Sequence, residues 1–145
     1  MRLAVIGICT LLLSSCGNPS PLAQVVDGGC SQSQKQLVED HISAQITAIE
    51  KLNWPLAYSF AAKSFQENID INQFEQIISG RYQILIQNQG VKFANCLIKD
   101  EIFRQQVLVA TAGGNYTMSY QLTAVNKKLG VIAAAITDLS EQITT

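Results

Sequence analysis

The stretch YTMSYQLTAV, residues 116–125, carries the most regular pattern in the chain and decides its fold. Apolar or aromatic side chains alternate with polar ones: Tyr116, Met118, Tyr120 and Leu122 against Thr117, Ser119, Gln121 and Thr123. Successive side chains of a β-strand point to opposite faces of its sheet. This stretch therefore predicts a strand with one apolar face, which packs on a core, and one polar face.

Three further β-rich runs surround this strand. They are VKFANCLI (91–98), FRQQVLVATA (103–112) and LGVIAAAIT (129–137). Short turn signals, KDE, GGN and NKK, separate the runs at distances typical of hairpins. The second half of the chain therefore predicts an antiparallel meander of about four strands.

The first half of the chain has helical spacing instead. Val38, Ile42, Ile46, Ile49 and Leu52 recur at steps of four and three, after a capping serine at Ser31 or Ser33. This spacing predicts a helix of about five turns with one apolar face.

Two shorter helices are predicted after it. NWPLAYSFAAKSF (53–65) begins with Asn53 as a cap and has Pro55 in the first turn, where proline is tolerated. DINQF (70–74) has the capping-box spacing of Asp70 and Gln73 and opens a helix that carries Phe74, Ile77, Ile78 and Tyr82. Helices followed by a meander predict an α+β domain, residues 31–140, with the helices on the apolar side of the sheet and a short tail at 141–145.

The N-terminus has the order of a secretory signal, with Arg2, the apolar run LAVIGICTLLL and then small residues. The run is about half the roughly 20 residues that a membrane-spanning helix needs. Its ending, LSSC (13–16), resembles the lipobox of bacterial lipoproteins. The resemblance implies that residues 1–15 are removed and that Cys16 carries acyl chains such as palmitate. The alternative is an ordinary secretory peptide cleaved near Ser15.

Lipid on Cys16 would make the protein a bacterial membrane lipoprotein. Two or three acyl chains hold a protein on a bilayer, whereas one binds reversibly. The domain would then face the extracytoplasmic side, on the periplasmic side of the inner or the outer membrane. Residues 16–30 contain two prolines and three glycines without a sustained period, and they predict a flexible linker that could hold the domain some 40 Å from the membrane.

Cys30 and Cys96 remain when Cys9 and Cys16 are set aside. An even pair in an oxidising compartment could form a disulfide, and the alternative is two unrelated small apolar residues. Without Arg2, nine Lys and Arg residues stand against eleven Asp and Glu, and no basic cluster is present. This balance argues against a nucleic-acid partner.

Three stretches of the chain share the pattern of a known family. They are ISAQITAIEKLNWPLAYSFAAKSFQENI (42–69), FEQIISGRYQIL (74–85) and QQVLVATAGGNYTMSYQL (105–122). Through them, residues 33–138 resemble the bacterial domain-of-unknown-function family DUF4864. The matching positions include Gln45, Ala48, Ala57, Tyr58, Phe60, Ala61, Phe74, Tyr82, Gln106, Val107, Gly113, Gly114 and Tyr120. Such families resemble the nuclear transport factor two-like (cystatin-like) superfamily, which implies a cone-shaped sheet around a long helix. The chain lacks the tryptophan that relatives tend to carry in the last strand, where it has alanines.

The cone would bring six aromatic residues to its inner face: Trp54, Tyr58, Phe60, Phe74, Tyr82 and Tyr120. They could pack as core or line a ligand pocket. His41, the single histidine, flanks the apolar stripe and is either a boundary residue or a polar group at the pocket rim. Superfamily enzymes use a carboxylate and a tyrosine for proton transfer, but here Asp100 and Glu101 fall in a predicted hairpin turn.

The sequence contains no metal-ligand pair, nucleophile elbow or phosphate loop, so it predicts no catalytic residue, metal or cofactor. It favours a non-catalytic binding or accessory module for a protein partner or a small apolar ligand. The alternative is a small-molecule-binding or acid/base pocket enzyme of the nuclear transport factor two-like type.

Overall fold

The structure is a computed structural model that describes residue 17 and residues 19–137. The predicted signal peptide, Cys16 and the tail at 141–145 lie outside the described residues. No helix among the described residues is both long and apolar enough to cross a membrane.

Among the described residues, five helices precede the main strands. They are α1 (Gln32–Glu50), α2 (Trp54–Ser59), α3 (Lys63–Gln66), α4 (Ile71–Arg81) and α5 (Gln83–Ile86). Ser31 caps α1, because its side chain accepts from the backbone of Gln34 while the Gln34 side chain accepts from the backbone of Ser31. Asp70 and Gln73 form the predicted capping box of α4. The caps begin both helices by satisfying backbone N–H groups that have no partner inside the helix.

Three details of the predicted helices are wrong. Leu52 lies outside α1 with φ of 54° and is 54% exposed, because the chain leaves the helix after Glu50 to reach the cap at Asn53. The second predicted helix is divided into α2 and α3. Tyr82 follows α4 as its C-cap, with φ of −124°, and is not a helical residue.

The strands form one open antiparallel sheet in the order β1-β2-β3-β4-β5. Their bounds are β1 (Gly28–Gly29), β2 (Gly90–Lys99), β3 (Ile102–Thr111), β4 (Gly114–Val125) and β5 (Lys128–Thr137). The α+β class is confirmed, but the sheet has five strands and not about four. The added strand consists of two glycines, which have no side chains to form an alternating pattern.

The core lies between α1 and the inner face of the sheet. Met118, Tyr120 and Leu122 are at most 1% exposed, which confirms the alternation of the opening stretch. They pack in one cluster with Val38 and Ile42 of α1. The pairing of β2 with β3 shifts in register between Phe93 and Cys96. The pairing of β4 with β5 shifts between Gln121 and Leu122. Such bulges bend strands and increase their twist.

The segment from Pro19 to Cys30 lies against the domain, which differs from the flexible linker that the sequence predicts. The side-chain amide of Gln34 donates to the carbonyls of Pro21 and Gln24, both at 3.0 Å. Leu22 and Val25 pack against the core, although neither is fully buried. A disulfide joins Cys30 to Cys96 in β2, with the two Cα atoms 5.5 Å apart. The segment is thus held at several points.

Candidate functional site

A cavity of about 260 Å³ lies between the helices and the strand β5. Its walls are almost entirely apolar, and none of its lining residues is charged. The lining residues are Gln45, Ile49, Ala61, Phe65, Phe74, Ile77, Ile78, Tyr82, Leu85, Tyr120, Val131, Ile132, Ala133 and Ala134. The cavity therefore offers an apolar interior of the kind that binds small molecules.

Three of the six aromatic residues that the sequence proposes for a pocket line this cavity: Phe74, Tyr82 and Tyr120. Trp54 and Tyr58 do not, and instead their rings pack against Phe74, with ring centres 6.5 and 5.7 Å away. The Tyr58 hydroxyl donates to the Ile69 carbonyl at 2.7 Å, which directs this ring to the loop before α4.

Phe60 is also absent from the cavity wall, because it packs against His41. The two rings meet edge to face with their centres 5.1 Å apart. His41 Nε2 lies 2.9 Å from the Phe60 carbonyl, which only accepts, so this nitrogen donates. Burial lowers the pKa of His41, and the hydrogen bond to Phe60 offsets part of that effect. His41 therefore anchors the backbone after α2 and is not among the residues that line the cavity.

Two tyrosine hydroxyls lie at the sheet side of the cavity. Tyr82 donates a hydrogen bond of 2.9 Å to the carbonyl of Ala134. Tyr120, which pairs with Ala134 in the sheet register, is 1% exposed. Burial, together with the nearby Tyr82, raises the pKa of Tyr120 well above its usual range. The Tyr120 side chain therefore remains protonated at physiological pH.

Gln45 is a polar cavity residue that the sequence analysis did not assign to a pocket. It lies on the buried face of α1, is 3% exposed, and donates through Nε2 to the Ala57 carbonyl at 3.2 Å. A buried amide costs free energy unless it is hydrogen-bonded, so a polar residue inside an apolar helical stripe is a usable signal. Here the stripe of Val38, Ile42, Ile46 and Ile49 encloses it.

The cavity lining carries few side chains that could take part in proton transfer. Its lining contains no carboxylate, histidine or cysteine. Asp100 and Glu101 form the exposed turn between β2 and β3, where the sheet holds them away from the buried face. Within the part of the chain that the structure describes, no three His, Cys, Asp or Glu side chains are grouped to hold a metal ion.

The fold and the cavity together define an α+β domain with a small, partly open apolar cavity. Residues 31–142 match the model of the family described as "Domain of unknown function (DUF4864)", which covers most of the chain, so the protein belongs to this family. Comparisons with curated proteins and with solved structures gave no match.

Proposed function

We propose that the protein is a membrane-tethered extracytoplasmic lipoprotein whose domain is a non-catalytic binding module for a small apolar molecule. The observation that carries the binding role is the cavity of about 260 Å³ with uncharged, mainly aliphatic and aromatic walls. A dry cavity of about 150 Å³ holds benzene. This cavity accordingly has room for a molecule about the size of naphthalene.

The tether is proposed from the sequence. The lipobox-like LSSC places the acyl chains on Cys16 and the domain on the periplasmic side of the inner or the outer membrane. Intact mass measurement of protein from native membranes tests this part of the proposal. We expect the mass of a diacylglycerol-modified chain that starts at Cys16, and Cys16→Ser should release a folded domain from the membrane. An unmodified chain would contradict the tether without bearing on the cavity.

The cone of the nuclear transport factor two-like superfamily is part of the same proposal. Its support is the arrangement of α1 across one face of a sheet that two bulges bend, with a cavity between the helices and the sheet. Acid/base chemistry of that superfamily is not proposed here, because the cavity lining carries no carboxylate to act as a base.

A protein partner is the second candidate, and the outer face of the sheet favours it. Ala135 is exposed on β5 and pairs with Ser119 of β4. Leu108 of β3 is 40% exposed on the same face. At its β5 edge this face carries small side chains and is flat enough to admit a neighbouring chain. Affinity capture from detergent extracts tests this role, and recovery of the protein alone at every salt concentration would contradict it.

The cavity role has a sharper test, which uses two adjacent alanines. Ala134 lines the cavity, and neighbouring Ala135 is exposed. Naphthalene titrated into the domain should perturb the NMR signals of Ile78 and Val131, which also line the cavity. Ala134→Leu should fill the space and abolish the perturbation, whereas Ala135→Leu should retain it. Absence of binding by the wild-type domain, or equal binding by both variants, would contradict the proposed site.

A further inference from the structure

The few polar side chains of the cavity indicate which apolar molecules it selects. This inference rests on the proposed binding function. Tyr120 reaches the cavity from the middle of β4. Among the described residues, none forms a hydrogen bond with the Tyr120 hydroxyl, whereas the Tyr82 hydroxyl is committed to the Ala134 carbonyl. The Tyr120 hydroxyl is therefore a donor that a ligand in the cavity can engage.

The ligand that satisfies this donor must be uncharged. No cationic side chain lines the cavity, so a carboxylate or phosphate would be buried without a counter-charge. No anionic side chain lines it either, so an ammonium group would meet the same penalty. Gln45 adds a neutral amide on the opposite wall, contributed by α1. One N–H of its Nε2 donates to the Ala57 carbonyl, and the second has no partner among the described residues.

We propose that the cavity selects an apolar molecule with a single uncharged oxygen acceptor, such as a ketone, aldehyde or ether, which receives a hydrogen bond from the Tyr120 hydroxyl. The raised pKa of Tyr120 agrees with this role, since the group stays protonated and able to donate. The apolar walls contributed by Phe74, Ile78 and Val131 hold the hydrocarbon part.

Three probes of nearly equal size test this inference: 2-acetylnaphthalene, 2-ethylnaphthalene and 2-naphthoate. One net hydrogen bond predicts that the ketone binds the wild-type domain about five- to tenfold more tightly than the hydrocarbon. The carboxylate should show no binding at pH 7. Tyr120→Phe should reduce the ketone's advantage to near unity while leaving hydrocarbon binding in place. Tyr116→Phe, which changes an exposed tyrosine of β4 that does not line the cavity, is the control and should retain the advantage.

A spectroscopic measurement tests the same contact even when an affinity changes for other reasons. The carbonyl stretching band of bound 2-acetylnaphthalene should lie at lower frequency in the wild-type domain than in Tyr120→Phe. Equal affinities for ketone and hydrocarbon, or a preference for the ketone that persists in Tyr120→Phe, would overturn the inference. Failure of 2-ethylnaphthalene itself to bind the wild-type domain would instead count against the proposed binding function.

Discussion

The Tyr82 hydroxyl donates a 2.9 Å hydrogen bond to the carbonyl of Ala134 across 52 residues of sequence. Tyr82 ends α4, and Ala134 lies in β5, a strand at the edge of the sheet. Both residues line the cavity. The bond therefore ties the end of a helix to the sheet edge beside the candidate site, and it occupies a carbonyl of an edge strand.

Tyr82→Phe should lower the free energy of unfolding by about 1 kcal/mol, because it removes this hydrogen bond and keeps the ring. Urea denaturation measures the change. Tyr116→Phe is the control, since Tyr116 lies near the end of β4 and is 36% exposed, and it should leave stability nearly unchanged. Equal stability of the wild type and Tyr82→Phe would argue against the bond.

Gly130→Ala should destabilise the domain by about 1–3 kcal/mol. A Cβ at Gly130 would lie 2.6 Å from the Cα of Ala62, and backbone at that distance must move. Gly80, in α4, has open space around its Cβ position, so Gly80→Ala should stabilise the domain by about 0.5–1 kcal/mol through its higher helix propensity. Thermal unfolding of both variants compares the two effects. A stable Gly130→Ala would refute the close packing of β5 on Ala62.

The disulfide should contribute about 4 kcal/mol to the free energy of unfolding, because it closes a loop with a sequence separation of 66 residues. Urea denaturation with and without a reductant measures this contribution. In the variant with Cys30→Ala and Cys96→Ala together, the reductant should have no effect. A wild-type midpoint that does not respond to complete reduction would contradict the bridge.

Stability should fall as the pH is lowered from 7.5 to 5.5, and His41 is the cause. Burial lowers its pKa below the ordinary 6.5, so the unfolded chain takes up the proton first. The contribution is fully present above pH 6.5 and is lost as the pH falls toward the lower folded-state pKa. In His41→Gln the free energy of unfolding should vary less over this interval. A wild-type stability that rises on acidification would show the opposite sign.

The strand pattern was predictable because the polarity of a side chain indicates whether it faces the core or the solvent. Met118, Tyr120 and Leu122 face the core as their alternation indicates. The strand of Gly28 and Gly29 carries no such signal, since its pairing is a backbone property. Leu52 matched the spacing of the first helix, but the competing cap at Asn53 ended that helix earlier.

The candidate site was predictable only in part, for a related reason. Phe74, Tyr82 and Tyr120 reach the cavity along regular elements, whereas Trp54, Tyr58 and Phe60 lie where α2 turns away from it. Residues 131–134 of β5 also line the cavity. Their position depends on the register shift opposite Gln121 and Leu122, because this shift changes which side chains of β5 face inward. A pattern of residue types does not reveal such a shift.

If Cys16 carries lipid, the contacts that hold residues 19–30 against the domain limit the distance between the domain and the membrane. Gln34 already holds Pro21, which lies five residues after Cys16 and hence at most about 17 Å from it along an extended chain. Without these contacts, an extended segment of residues 16–30 would allow a distance of some 40 Å between the domain and the membrane. With lipid on Cys16, the domain would therefore lie close to the membrane surface.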